Sequence, residues 1–192
     1  VIPSINFINR FVDEPLFVKA FAEIARKYME KEEFDHFVFS YHGLPERQII
    51  KASCDNYCQL NDKCCSVYHK KNRYCYRASC YYTSRELAKE LGLREDQYSV
   101  CFQSRLQARI KDPWLKPYTD EVIAELPKQG KKRVLAFSPA FVADCLETAI
   151  EVGVEFDEIF KENGGERWQL VESLNTHPTW VEAVKQMVLK NS

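Results

Sequence analysis

The chain has 192 residues, 45% of them hydrophobic and 29% charged, with a formal net charge of −1. This is the balance of a soluble globular protein, long enough for one well-buried domain. The near-neutral charge excludes a strongly basic nucleic-acid surface, and no apolar run approaches the ~18 residues of a membrane span.

Taken in order, Ile2 to Ile8 predicts a strand. Asp13 stands where a helix N-cap would, ahead of Glu14 and Pro15. Leu16, Phe17, Ala20, Phe21, Ile24, Ala25 and Tyr28 then recur at helical spacing, predicting a helix from Glu14 to Glu32. The apolar run Phe37-Val38-Phe39-Ser40-Tyr41 follows and stops at His42-Gly43-Leu44-Pro45. Strand, helix and strand in this order predict a right-handed crossover in a parallel sheet. Residues 52–80 show no clear period. Beyond them the pattern predicts a helix from Thr83 to Leu91 closing at Gly92, a strand from Tyr98 to Gln103, and a helix from Tyr118 to Gln129 closing at Gly130. A buried strand from Arg133 to Phe137 comes next, then helices from Phe141 to Val152 and Phe156 to Glu162. The last strand is predicted from Trp168 to Leu174 and the last helix from Thr179 to Leu189.

Five strand candidates alternating with helices predict an α/β fold. Its sheet is open, mainly parallel and covered by helices on both faces, as in one Rossmann-like domain carrying a Cys-rich insertion. In such folds the binding groove lies at the carboxyl ends of the strands. His42, Gln103-Ser104-Arg105, Ser138-Pro139 and Asn175 all fall at or just beyond those ends. A strand-end imidazole is either bonded structurally to a nearby carbonyl or poised as a base. Glu147, Glu151 and Glu155 fall at i, i+4 and i+8, one face if the helix persists through Gly153. By spacing alone they make a solvated acidic stripe.

Six of the eight cysteines lie between positions 54 and 80: Cys54, Cys58, Cys64, Cys65, Cys75 and Cys80. Disulfides, a structural zinc and an iron–sulfur cluster each answer to such a set. The absence of a basic, apolar leader at Val1–Ile8 argues against disulfides, and the spacing matches neither usual paired zinc signature. Cys101 sits in a predicted strand and reads as core.

Four words occur in order: Ser40-Tyr41-His42-Gly43-Leu44-Pro45-Glu46-Arg47, Phe102-Gln103-Ser104-Arg105, Pro113-Trp114-Leu115-Lys116-Pro117-Tyr118-Thr119-Asp120 and Phe141-Val142-Ala143-Asp144-Cys145-Leu146-Glu147-Thr148. Together they resemble the ferrochelatase family, enzymes that insert ferrous iron into a porphyrin. The resemblance runs from about His36 to Asn175. Family members are longer, with two similar domains closing over the porphyrin. It implies that residues 1–192 are the carboxyl-terminal chelatase domain, with an insertion at about 52–80, and that the amino-terminal domain is absent. The start at Val1, without an initiator Met, fits the middle of a longer chain.

The resemblance also implies roles. His42 and Glu147 match catalytic positions, and with Glu151 and Glu155 they match a path for protons or hydrated metal. Cys145 stands where relatives often carry histidine. Many relatives hold a [2Fe–2S] cluster on four cysteines, for which the candidates here are Cys58, Cys64 or Cys65, Cys75 and Cys80, with Cys54 in reserve. Structural zinc is the alternative. Relatives place a shorter, glycine-containing loop where this chain has Leu106 to Asp112, so Arg109 and Lys111 receive no role; Trp114 and Tyr118 are expected to pack the loop over the sheet.

The implied chemistry is loss of two pyrrole protons as ferrous iron enters the macrocycle, a lyase step of haem biosynthesis. Its rivals are a related chelatase for cobalt or nickel and a non-catalytic iron–sulfur or zinc-binding module. The expected partners are porphyrin, ferrous iron and the missing domain, with no nucleic acid. The expected location is the cytoplasm, with peripheral membrane contact left open, and the sequence assigns no oligomeric state. The chain alone is expected to turn over little.

Overall fold

The computed structural model describes residues 5–105 and 113–191. The loop containing Arg109 and Lys111, and most of the first half of the Ile2–Ile8 prediction, lie outside the described residues. The helices are α1 (Pro15–Met29), α2 (Glu46–Lys51), α3 (Asp62–Cys65), α4 (Tyr76–Leu91), α5 (Thr119–Glu125), α6 (Phe156–Glu162) and α7 (Pro178–Asn191). A π-helical segment, Glu147–Glu155, runs directly into α6. The strands are β1 (His36–His42), β2 (Tyr98–Gln103), β3 (Arg133–Phe137) and β4 (Arg167–Leu170).

The four strands form one sheet in the order β2-β1-β3-β4, with every pairing parallel. Alternation along each strand sends side chains to two cores. Phe37, Phe39 and Tyr41 of β1, with Leu135 and Phe137 of β3, pack with Phe17 and Phe21 of α1, Leu87 of α4 and Trp180 of α7. Val38, Val134 and Ala136 face the other way, against Ile123 of α5, Phe156 and Phe160 of α6, and Trp168. Both faces are therefore covered, which is why β1 and β3 read as nearly unbroken apolar runs.

From β1 the chain passes to β2 on one side, then crosses to β3 on the other. This reversal makes the β1/β3 carboxyl ends a topological switch point, the place where open α/β sheets take their ligands. His42 ends β1, and Ser138-Pro139 follow β3.

Several boundaries differ from expectation. No strand forms over residues 5–8; Ile5 and Phe7 are exposed, because no sheet edge accepts that segment and strand preference is realised only against a partner. The chain therefore opens extended, tied down where Phe11 meets Phe17 and Trp180 and where Arg10 donates to Tyr68 and the Arg73 carbonyl. Glu14, not Asp13, occupies the N-cap of α1. The helix expected from Phe141 begins only at Leu146. Asp144 accepts from the Ser173 backbone N–H and from the Asn175 amide, and Thr148 Oγ1 accepts from the Cys145 N–H, so residues 141–145 are held as a loop. Gly153 does not break the helix, and the two helices expected over 141–162 are one continuous rod from Leu146. The fourth strand stops at Leu170, four residues earlier than expected.

Candidate active site

His42 is half-buried at the carboxyl end of β1, paired in register with Gln103 at the end of β2. Its Nδ1 lies 2.7 Å from the Gly43 carbonyl. A carbonyl only accepts, so this contact assigns the hydrogen to Nδ1 and leaves the Nε2 lone pair as the acceptor of the neutral ring. The structural and the reactive readings of this imidazole are thus compatible, each using a different nitrogen. The turn is tight. Gly43 N–H donates to the Gln103 carbonyl at 2.7 Å, and a Cβ on residue 43 would stand 2.9 Å from that same oxygen. Only glycine lets β1 and β2 close this far past the ladder.

Phe141 lies beside the imidazole, ring centroids 6.4 Å apart. Glu147 opens the π-helical segment at the surface. Its carboxyl is held below the usual range by its own backbone N–H, then by the Cys145 thiol and by the field of a protonated His42.

Glu151 lies one step along the same helix. Its carboxylate accepts from the Ser104 backbone N–H at 2.7 Å, from Ser104 Oγ at 2.5 Å and from the Gln103 amide at 3.4 Å. Ser104 reaches it from a left-handed backbone conformation, φ 62°, which a non-glycine residue adopts at some cost. Gln103 also accepts from the buried hydroxyl of Ser40 at 2.6 Å, and so ties the end of β1 to the acidic row. Beyond it, Glu151 and Glu155 line a cavity of about 180 Å³ with Ser104, Arg105 and Asp120. Arg105 is committed there to Asp120, at 2.8 Å, and to the face of Tyr118. Glu151 and Glu155 share this cavity from π-helical i→i+5 turns, of the kind that recur at functional sites.

The cysteine segment is ordered by buried polar groups as much as by apolar ones. Asn72 donates to the Cys64 and Val67 carbonyls, and Arg77 donates to the Asn61 carbonyl and, at 3.3 Å, to Cys65 Sγ. Cys58, Cys64, Cys65 and Cys75 line one small void with Asn72 and Lys71. Cys64 Sγ and Cys65 Sγ are 3.9 Å apart. The Cys65 thiol donates to Cys75, which with the Arg77 charge outweighs burial and brings Cys75 down to about 6. That same hydrogen bond, then burial, pushes Cys65 up. Burial pushes Cys58 up. Cys64 is lowered although burial opposes it, because the Gln59 and Asn61 backbone and the Cys65 thiol bond it.

Among the described residues, no three His, Cys, Asp or Glu side chains are spread around a site sized for a metal ion. The sulfurs are instead packed against one another. Cys58, Cys64, Cys65 and Cys75 share one void, with the buried Arg77 guanidinium against Cys65 Sγ. Cys80 is apart from them. It is fully buried in α4, where its thiol meets the Tyr76 phenol. Cys54 is exposed and Cys101 is core, beneath the Phe39 carbonyl.

Sequence reasoning named most of these groups but missed Tyr76, whose hydroxyl donates to the His42 carbonyl at 2.9 Å. It also missed Gln103 as the link between His42 and Glu151. Neither has a local signal, since both contacts span more than thirty residues.

A parallel α/β sheet with an imidazole, a carboxylate row and their polar supports gathered at its switch point belongs to the ligand-binding open-sheet proteins. More narrowly, the chain belongs to the ferrochelatase family, whose model matches residues 1–192. A ferrochelatase of Legionella pneumophila subsp. pneumophila strain Philadelphia 1 is 46% identical over 188 residues, covering 98% of this chain and 54% of the relative. A ferrochelatase of Coxiella burnetii strain Dugway is 41% identical, with 98% of this chain and 52% of the relative covered. The chain thus spans about half the length of the curated relatives it matches.

Proposed function

We propose that the full-length protein inserts ferrous iron into a porphyrin, in haem biosynthesis, and that residues 1–192 supply its carboxyl-terminal domain. The observation that carries this reading is the imidazole whose Nδ1–H is already spent on Gly43, at the end of β1, with Glu147 opening the helical segment that also carries Glu151 and Glu155. A free-base porphyrin keeps two pyrrole N–H protons that must leave as the metal binds. His42 Nε2 accepts one of them, and Glu147 takes protons onward or meets the hydrated cation. Glu151 and Glu155 extend the path towards solvent. In the full-length protein a second domain closes the other side of the macrocycle and bends the ring, so residues 1–192 on their own turn over little.

We further infer a [2Fe–2S] cluster on Cys58, Cys64, Cys65 and Cys75, with structural zinc as the alternative occupant. When bound, such a centre cross-links the loop and gives it a chromophore. Among the described residues no helix is long and apolar enough to cross a membrane. The reading is of a cytoplasmic enzyme, with peripheral membrane contact left open.

Ser104→Ala tests the acidic row. It deletes the short hydroxyl donor to Glu151 while sparing the backbone N–H. A hydrogen bond to a charged group is worth about 1.5–3 kcal/mol, so iron insertion by the full-length variant should slow about tenfold or more. A steady-state assay with wild-type rate would remove Glu151 from the path. The metal is tested by competition among ferrous iron, cobalt and nickel on the full-length protein. Iron is expected to win, and equal or faster cobalt or nickel insertion at matched free metal would reassign the chelatase.

A further inference from the structure

We propose that Tyr76 is a positioning residue for His42, joining the histidine's backbone to the last cysteine of the thiol loop. This rests on the iron-insertion reading for its activity arm only.

The ladder between β1 and β3 ends at Phe39 opposite Phe137. The last residues of β1 run on past it, held on one side by β2 through His42 opposite Gln103. What the sheet no longer supplies, α4 does. Tyr76, the first residue of α4, donates its phenol hydrogen to the His42 carbonyl at 2.9 Å. The next amide along is equally committed, Gly43 N–H to Gln103 O at 2.7 Å. The peptide that carries the imidazole is thus pinned at both its polar groups, and the ring is pinned to it through Nδ1 and the Gly43 carbonyl.

The other end of the tether is in the thiol loop. Cys75, adjacent in sequence, is the N-cap of α4 and lines the thiol void with Cys65. The Tyr76 phenol donates to the His42 carbonyl from the first turn of α4, directly after the Cys75 cap. A movement of Cys75 therefore moves the start of α4, and the phenol carries that movement to His42. The distance along the chain is 34 residues, and one hydrogen bond spans it.

The experiment uses the full-length protein with Tyr76→Phe, which keeps the ring and removes the hydroxyl. One neutral hydrogen bond is expected to change kcat by about five- to tenfold, with the porphyrin KM within about twofold. The second readout is independent of activity. In protein labelled with 15N at histidine, the His42 resonances, assigned with the His42→Ala variant, are expected to shift from the Nδ1–H tautomer towards a mixture in Tyr76→Phe. Cys75→Ser is expected to move the same resonances. A residue that merely supports folding would lower thermal stability and leave them in place. Tyr74→Phe, at an exposed ring under the Arg73 guanidinium, is the control and should change neither readout.

Wild-type kcat with unshifted His42 signals overturns the proposal, as does a rise in KM with those signals unmoved. If Tyr76→Phe does not fold, 3-fluorotyrosine at position 76 keeps the hydroxyl and strengthens it as a donor. The His42 signals must then move, and unchanged signals again overturn the tether. If the wild-type protein inserts no iron, the functional reading fails while the resonance arm still decides the tether.

Discussion

In the full-length protein, His42→Ala is expected to lower kcat for iron insertion by at least about a hundredfold, with porphyrin KM within about twofold. A positioned general base contributes on the order of 10²- to 10⁴-fold, and the alanine leaves no group at the end of β1 to receive the first pyrrole proton. Glu147 does not substitute for it. Its carboxyl is held below its usual range by its own N–H and the Cys145 thiol, which makes it a weaker base than an ordinary glutamate. Folding should be little affected, because the half-buried ring's hydrogen bond is to its own neighbour. Steady-state rates on folded variant are the check. An unchanged rate would dismiss His42 as the base.

The second large effect is expected at Cys75. The wild-type full-length protein should be brown-red, carrying about two irons and two acid-labile sulfides per chain, and Cys75→Ser should be colourless. This substitution separates ligand loss from helix damage. Cys75 is the N-cap of α4 and makes no side-chain capping bond, whereas serine is among the better caps. The helix should survive, and any loosening of residues 52–75 to proteolysis then reports the lost cross-link. Cys80→Ser should keep its colour, since that thiol packs against Tyr76 and does not line the void shared by the other four. Colourless wild-type protein with one zinc per chain would decide for the alternative occupant. Full colour in Cys75→Ser would show that Cys75 is not a ligand.

The parts of the fold legible from the sequence are those where burial on both faces imposes the pattern. β2 and β3 fall on the residues the apolar runs indicate and α4 closes at Gly92 as predicted, whereas the helix expected to reach Gln129 ends at Glu125, with a separate 3-10 turn, Pro127–Gln129, before Gly130. Patterns that depend on a distant partner misled. Ile5, Phe7 and Ile8 have strand composition but no neighbouring edge, and the Phe141 segment looks helical until Asn175 takes hold of Asp144. The first half of α4 was hidden because its inward face carries Arg77, Cys80 and Thr83, polar or ambiguous residues whose burial only the fold reveals. The same holds for the site. His42 and Glu147 follow from the resemblance and from strand-end logic. Tyr76 and the role of Gln103 rest on contacts between remote segments, and the separation of Cys80 from the other thiols rests on the helix that carries it.

The most direct test of the account is a single anaerobic assay: full-length protein mixed with ferrous iron and a free-base porphyrin, following the conversion of the porphyrin absorbance. The account predicts metallation far above the protein-free rate and its near abolition in His42→Ala. A wild-type rate no greater than the protein-free control would contradict it.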